Sequence, residues 1–304
     1  MSNDTIFQKI LDEWNHKDHI KIRQDLIKEI QKITKRKLIC YASANFPINI
    51  PEINNLRMIR SEDVQPFEDL LRSANSNKAD LMIVSNGGEP NAAEKLLMMC
   101  RERFTEEFNV IIPNQAKSAA TMIALGSDKI LMGYLSELGP IDPQIIVGQS
   151  SIPAQAFLGG LEKIRDRIKD KKSPDPVNMY IPLLAQLRPE VIQICENAIS
   201  HSRTFAEKWL KKYMFKGKNK QASKVAKSLS EGKVYKSHGK VIDFKEAHDV
   251  LKLNAELINK ESKLWSLIWE LYNREMHFLQ QTNGVKLYES ETASFIINVN
   301  IQQK

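Results

Sequence analysis

The sequence is poor in the features that mark several large classes of protein. It has three cysteines among 304 residues, and they show no CxxC spacing. This excludes a disulfide framework or a cysteine zinc site, and the apolar surroundings of Cys40, Cys100 and Cys195 indicate reduced core residues. No run approaches the roughly 18 apolar residues of a membrane-spanning helix, and the polar N-terminus lacks the pattern of a secretion signal. We therefore expect a cytoplasmic protein, with contact to a membrane surface as the less favoured alternative.

Common motifs for nucleotide, metal and hydrolase sites are also missing. There is no G-x-G-x-x-G, no P-loop, no H-E-x-x-H and no G-x-S-x-G elbow, so we predict neither a cofactor nor a metal. The net charge of +7 permits contact with nucleic acid or acidic lipid without requiring it. The lysine-rich stretch 214–233 lacks the interleaved aromatic residues that stack on bases, which favours a solvated face over a nucleic-acid groove.

Two consecutive strand–loop–helix turns dominate what is present. The apolar run 79–84 ends at Asn86-Gly87-Gly88, and the run 109–112 ends at a loop that leads into a helical pattern at Ser118. Strands separated by a helix are expected to be parallel, with right-handed connections. Both loops then emerge at the same carboxyl edge of the sheet, where open α/β sheets bind their ligands. The pattern therefore predicts an α/β fold with a site at that edge.

The second loop leads into a serine whose surroundings suit acyl transfer. Ser118 precedes a run of small and apolar residues, so its hydroxyl would lie at the positive end of a helix dipole. The N–H groups of Gly88 and Ala119 can form a hole for the oxyanion of a tetrahedral intermediate, where one donor is worth about 2.7–4 kcal/mol. Glycine permits the backbone angles that such a hole requires. The same position also suits a plain helix N-cap, which is the simpler interpretation of Ser118.

Three stretches carry a family resemblance: LMIVSNGGEPNAAEKL, VIIPNQAKSAATMIALGSDKILMG and SELGPIDPQ. They resemble the serine dehydrogenase proteinase family, a branch of the signal-peptide-peptidase-A-like serine peptidases, and the resemblance covers about residues 36–255. It implies a ClpP/crotonase-like α/β fold, a spiral of βαβ units with helical extensions at both ends. It also implies that Ser118 is the nucleophile and that Gly87 and Gly88 belong to the oxyanion loop.

A serine nucleophile needs a general base, and the segment 150–170 offers one. This segment predicts a helix in which Ala156, Gly159 and Gly160 form a small-residue face beside Lys163. Close packing on that face would remove water from the Lys163 ammonium and favour the neutral amine that a base requires. Serine–lysine dyads of related peptidases have the same order along the chain, so the resemblance also favours Lys163.

Histidines are the rival bases. A ClpP-like triad would need a histidine within a few turns after the serine, and there is none between Ser118 and His201. His201 and His238 remain candidates through the tertiary fold, although the Ser-His-Gly turn around His238 is more typical of a structural histidine. Lys117 is a poor base, because adjacent side chains on a backbone point apart.

We divide the chain into three segments. Residues 1–35 form an amphipathic helical arm that packs on its own domain or on a neighbouring subunit, and residues 36–255 form the peptidase domain. Residues 256–304 form a C-terminal helix and tail. The aromatic face of that helix suggests contact with another subunit, so we expect a homo-oligomer.

The preferred function is a serine peptidase that acts on peptides or unfolded proteins. A first alternative is a catalytically weak or inactive interaction protein with the same fold. It is suggested by Asn86 and Ala120, which stand where the family usually has proline and glycine. A second alternative is an acyl-CoA enzyme of the crotonase branch, which shares paired oxyanion amides. The sequence shows no distinct pocket for adenine or phosphate to support it.

Overall fold

The computed structural model describes residues 5–46, 51–147, 150–172, 175–185 and 187–299. The helices are α1 (Ile6–Glu13), α2 (His19–Thr34), α3 (Pro51–Leu56), α4 (Val64–Ser73), α5 (Pro90–Arg103), α6 (Ala119–Leu125), α7 (Ala154–Ile168), α8 (Ile181–Leu184), α9 (Pro189–Lys212), α10 (Asn219–Ser230) and α11 (Lys263–Gln281). The strands are β1 (Lys37–Ser43), β2 (Lys78–Val84), β3 (Glu107–Ile112), β4 (Gln115–Ala116), β5 (Lys129–Met132), β6 (Glu137–Leu138), β7 (Gln144–Val147), β8 (Ser150–Pro153), β9 (Ala255–Leu257), β10 (Gly284–Ser290) and β11 (Ser294–Asn298). Short helical turns occupy Ser61–Asp63, Val177–Met179 and Glu246–Val250.

The chain divides into two compact units. The first unit combines the chain up to Gly139 with the chain from Val241 onward, and the second unit is Pro140–Lys240. This division follows contacts within the chain, whereas the boundaries at 35/36 and 255/256 follow sequence pattern and resemblance. The three-segment division therefore stays a prediction.

The first unit contains a seven-stranded sheet with the strand order β11-β10-β1-β2-β3-β5-β9. Strands β1, β2, β3, β5 and β9 are parallel, whereas β10 is antiparallel to both β1 and β11. Parallel neighbours need crossover connections, and α5 between β2 and β3 and α6 between β3 and β5 supply them. The predicted α/β class is therefore confirmed.

The N-terminal arm consists of two helices rather than one. Asp18 caps α2 by accepting a backbone hydrogen bond at 3.0 Å, which starts a new helix after α1. Ile27 and Ile30 are fully buried in a core cluster with residues of α11. Arg23 is also fully buried and donates two hydrogen bonds to Glu289 of β10, at 2.7 and 3.0 Å. The arm thus packs on its own unit, which is one of the two roles expected for it.

The C-terminal segment differs from the helical extension predicted for it. The aromatic face of α11, which was expected to contact another subunit, is buried within the chain, and Trp265 is 4% exposed. Two strands then follow the helix into the sheet. Strand β10 is buried along its whole length although it contains Lys286 and Glu289, because Asp63 and Arg23 pair with these charges. Buried charges interrupt the apolar pattern by which a strand is predicted.

The second unit is mainly helical. The long helix α9 packs on α10, and Phe205, Trp209 and Leu229 are buried there. The helix predicted to start at residue 150 begins at Ala154 instead, because β8 pairs in antiparallel fashion with β7. The residues of helix α7 are exposed or half-buried, apart from the buried Ala154.

Candidate functional site

Two loops meet at the carboxyl edge of the sheet in the first unit. The Ser85 N–H donates to Gln115 O at 3.0 Å, and the Lys117 N–H donates to Ser85 O at 2.9 Å. The side-chain amide of Gln115 also donates to Asn86 Oδ1 at 2.6 Å. These bonds join the loop after β2 to the loop after β3. The prediction that both loops share one edge of the sheet is confirmed.

Ser118 stands at the start of α6 in a strained backbone conformation. Its φ of 49° and ψ of −116° lie outside the usual regions for a residue with a side chain, and such conformations cost on the order of 1–3 kcal/mol. Its carbonyl accepts the Met122 N–H at 3.0 Å, but its hydroxyl makes no capping hydrogen bond. The side chain is half-buried. The plain N-cap interpretation therefore does not account for the Ser118 hydroxyl.

The diglycine turn lies directly against this serine. A Cβ at Gly87 would fall 2.7 Å from Ser118 Cβ and 2.8 Å from Lys117 O, and the φ of Gly87 is 103°. Gly88 has a φ of 153°, and a Cβ there would fall 2.2 Å from Ile59 O. The Ile59 N–H donates to Gly87 O at 2.8 Å and fixes the turn. Both positions therefore require glycine for local reasons.

The backbone N–H groups of the two loops are used differently. The Gly87 N–H donates to Ser85 Oγ at 3.1 Å. In the part of the chain that the structure describes, neither the Gly88 N–H nor the Ala119 N–H donates a hydrogen bond. Ala119 N lies 3.1 Å from the position that a Gly87 Cβ would take, so the turn and the start of α6 are in contact. The N–H groups of Gly88 and Ala119 thus stay the predicted oxyanion donors. Gly87 instead lets the turn approach Ser118 closely, because it has no side chain.

A third segment, which contains Glu137 and Gly139, is bonded to the loop before Ser118 and to the start of α6. Lys117 Nζ pairs with Glu137 at 3.0 Å. The Gly139 N–H donates to Thr121 Oγ1 at 3.0 Å, and the Thr121 hydroxyl donates to Ala116 O at 2.6 Å. The Lys117 ammonium is therefore engaged in an ion pair, in agreement with the expectation that it is a poor base. The loop that contains Gly139 borders the serine loop within the first unit.

The second unit contains a histidine–aspartate pair. His238 Nδ1 lies 2.9 Å from Asp142 Oδ1, and the side chains of His238 and Asp142 are 31% and 2% exposed. Gln144 Nε2 donates to the other carboxylate oxygen of Asp142 at 3.1 Å. A carboxylate on Nδ1 favours the tautomer with the proton on Nδ1 and leaves Nε2 free to accept one.

Asp142 was missed as a functional candidate by reasoning from the sequence. It lies 96 residues from His238, so no local spacing connects the two. The one available signal was an acidic residue between two prolines in the rigid stretch SELGPIDPQ.

Lys163 lies on α7 and lines a cavity of about 490 Å³. Its side chain is exposed. Gly159 and Gly160 line the same cavity, and a Cβ added at either would meet nothing within 4 Å. The close packing expected to dehydrate Lys163 is thus not seen among the described residues, and its role as base stays a prediction. His201 is exposed on α9.

Other expectations concern the whole chain. All three cysteines are unpaired and buried, which confirms the core role predicted for them. Among the described residues, no group of three or more His, Cys, Asp or Glu side chains is placed to hold a metal ion. The helices within those same segments are too short or too polar to cross a bilayer.

A strained serine at the start of a helix, beside a diglycine turn in an α/β fold, is typical of serine hydrolases. Residues 5–288 match the family of ClpP-like SDH-type serine proteinases, and the chain belongs to this family. The resemblance seen in the sequence is therefore confirmed, and family membership supports a serine peptidase.

Individual relatives add little about activity. The chain is 28% identical over 275 residues to the uncharacterized protein MJ0137 of Methanocaldococcus jannaschii, covering 87% of this chain and 86% of that protein. It is 26% identical over 207 residues to the uncharacterized protein MJ1495 of the same organism, covering 68% of this chain and 63% of that protein.

Solved structures with more distant similarity include two proteases. A variant of the 1510-N membrane-bound stomatin-specific protease is 13% identical, with a TM-score of 0.41, and covers 75% of this chain and 81% of that structure. ClpP1 from Listeria monocytogenes is 16% identical, with a TM-score of 0.36, and covers 77% of this chain and 98% of that structure.

Proposed function

We propose that the chain hydrolyses peptide bonds through Ser118. Ser118 Oγ attacks the carbonyl carbon of the scissile bond while a base takes its proton, and the N–H groups of Gly88 and Ala119 stabilise the resulting oxyanion. The base then gives the proton to the leaving amine, and water hydrolyses the acyl-enzyme by the same steps. The observation that carries the proposal is the strained Ser118, whose hydroxyl does not cap α6, in a chain of a serine proteinase family.

Two side chains of the second unit compete for the role of base. His238 is supported by Asp142, which would orient the imidazole and stabilise its protonated form. Lys163 is supported by the order along the chain in related serine–lysine peptidases, but its ammonium is exposed to water. We therefore favour His238 over Lys163, with His201 as a third candidate. The order of the three candidate bases rests on the chemistry of each side chain and on its contacts within its own unit.

The substrate class and the assembly are part of the same proposal. Peptides or unfolded proteins are the expected substrates, and the chain is expected to act as a cytoplasmic homo-oligomer that encloses its sites. Light scattering on the purified protein measures the assembly directly, and a monomer would contradict it.

The experiment that tests the nucleophile is labelling with a fluorophosphonate probe, in which Ser118 Oγ would bond to phosphorus and fluoride would leave. We expect labelling of the wild type and none of Ser118→Ala. Ser262 provides a matched control, because its side chain caps α11 by accepting the Trp265 N–H at 3.1 Å. Ser262→Ala should lose about 1 kcal/mol of stability and keep full labelling.

Two outcomes would contradict the proposal. Unchanged labelling of Ser118→Ala rejects Ser118 as the nucleophile. A folded wild type that does not react favours the alternative of an inactive interaction protein.

A further inference from the structure

A buried carboxylate in the first unit has no role in the steps described so far. Asp63 ends the short helical turn Ser61–Asp63, and its side chain is fully buried. The carboxylate accepts hydrogen bonds from the hydroxyls of Tyr41 at 2.8 Å and Tyr288 at 2.7 Å, two residues that face each other on β1 and β10. Lys286 of β10 forms an ion pair with the same carboxylate. Asp63 is thus anchored to two neighbouring strands of the sheet.

The same carboxylate also holds the backbone just before the helical turn. Asp63 Oδ2 accepts the Arg60 N–H at 2.9 Å, and the Asp63 N–H in turn donates to Arg60 O at 3.1 Å. These two reciprocal bonds fix the backbone at Arg60, and Ile59 is the residue before it. Ile59 is itself fully buried. The position of the Ile59 backbone therefore depends on Asp63.

Ile59 determines the direction in which the Gly88 N–H points. The Ile59 N–H donates to Gly87 O, and Ile59 O accepts the Glu89 N–H, both at 2.8 Å. The peptide group between Gly87 and Gly88 is trans, and in a trans peptide the C=O and the N–H point in opposite directions. Because the Gly87 carbonyl points toward Ile59, the Gly88 N–H points away from Ile59. The hydrogen bond also polarises the peptide group, which strengthens this N–H as a donor.

We propose that Asp63 is a positioning residue for the oxyanion hole, and that it acts through Ile59 on the direction of the Gly88 N–H. The inference rests on the proposed function, in which Gly88 supplies one of the two oxyanion donors. Asp63 itself is too deeply buried to touch a substrate. Its effect is on preorganisation, because a displacement of about 1 Å at a reacting group can cost about 10²-fold in rate even when the substitution is remote.

The test compares two substrates that differ in one atom. The p-nitrophenyl ester of N-acetylalanine and its thiono analogue, in which sulfur replaces the carbonyl oxygen, both acylate Ser118 and release p-nitrophenol. Sulfur is the weaker acceptor of hydrogen bonds, so a well-placed oxyanion hole favours the oxygen ester. The measured quantity is the ratio of kcat/KM for the oxygen ester to kcat/KM for the thiono ester. A loss of folded enzyme lowers both values equally and leaves this ratio unchanged.

Two double variants isolate the hydrogen bond to Arg60. Asp63→Ala combined with Lys286→Met removes the acceptor of the Arg60 N–H without leaving Lys286 as an unpaired buried charge. We expect its ratio to fall by about 10-fold or more, toward the 10²–10³ that the loss of a whole oxyanion donor costs. Asp63→Asn combined with Lys286→Met keeps an oxygen for the Arg60 N–H and should retain a ratio within a few-fold of the wild type.

A milder variant covers the case in which the alanine double variant does not fold. Tyr41→Phe removes one anchor of the Asp63 carboxylate and should lower the ratio in the same direction by a smaller factor. Ile27→Ala is the control for lost stability, because Ile27 is fully buried in the core of the same unit and makes no contact with this network of hydrogen bonds. It should keep the wild-type ratio. Circular dichroism verifies the folding of each variant.

Three outcomes would overturn the inference. The first is a wild-type ratio in both the alanine double variant and Tyr41→Phe. The second is an equal loss of the ratio in the asparagine double variant or in Ile27→Ala. The third is a wild type that reacts with both esters equally well. Absence of p-nitrophenol release by the folded wild type would instead reject the proposed function, and with it the inference.

Discussion

In the first unit the backbone positions the candidate catalytic groups, whereas in the second unit side chains position them. Ser118 has a φ of 49° and lies against Gly87, and Gly88 packs closely against the backbone of Ile59. His238 is held by one carboxylate, and Lys163 is exposed. A site built from main chain tolerates few substitutions, because glycine and a strained turn have no substitutes. A site built from side chains can lose its chemistry while its fold persists.

The largest expected effect is a loss of reaction rate without a loss of folding, caused by substitutions in the second unit. His238→Gln should lower the rate constant for fluorophosphonate labelling by about 10²–10⁴, the usual contribution of a positioned base. Asp142→Asn should lower the same rate, because an asparagine can hold the imidazole in the wrong tautomer. Both variants should keep the wild-type circular dichroism spectrum.

Lys163→Met and His201→Gln serve as the comparison for these two variants. Each should label within a few-fold of the wild type. A loss confined to Lys163→Met would reverse the assignment of the base, and a loss confined to His201→Gln would transfer it to α9.

The next effect is on the free energy of unfolding. Replacement of a glycine by alanine is compared between the two units. Gly88→Ala should lower the free energy of unfolding by about 2–4 kcal/mol, since the new Cβ combines a disfavoured φ with a 2.2 Å approach to Ile59 O. Gly159→Ala should raise that free energy by up to about 1 kcal/mol, because its Cβ enters open space in a helix. Urea unfolding of both variants measures the difference. Equal effects of the two substitutions would remove the contrast between the units.

The last effect is a pH dependence that arises in the first unit. Glu275 is fully buried near Cys40, Arg23 and Glu289, and burial, followed by repulsion from Glu289, raises the pKa of its carboxyl group well above the usual value. Above the pKa of an unfolded glutamate, the unfolded chain releases this proton while the folded chain retains it. The contribution of Glu275 to stability therefore declines as the pH rises from about 4.5.

Glu275→Gln should remove this decline, because a glutamine does not ionise. Relative to the wild type, the variant should gain stability as the pH rises above about 4.5, as measured by urea unfolding at each pH. Glu162→Gln, on the exposed surface of α7, is the control and should leave the pH profile unchanged. Parallel profiles for the wild type and Glu275→Gln would contradict the prediction.

The parts of the site that were predictable from sequence are those that depend on local pattern. Buried parallel strands read as apolar runs, and diglycine followed by a helix start identified the loops around Gly88 and Ser118. Pairings between distant residues were not predictable. Asp142 and His238 meet only in the folded unit, and β10 enters the sheet because Lys286 and Glu289 find buried partners. The exposure of Lys163 likewise depends on what packs against α7.

The buried ion pair between Arg23 and Glu289 limits how far the chain can be shortened from its N-terminal side. A truncated form that starts at residue 36 would keep every strand of the sheet. It would nevertheless leave the Glu289 carboxylate in β10 without its counter-ion and uncover the part of the core that Ile27 and Ile30 close. Removing one partner of a buried ion pair typically costs about 3–5 kcal/mol. Helix α2 therefore stabilises the central sheet, and a preparation that lacks this helix should be recovered as insoluble material.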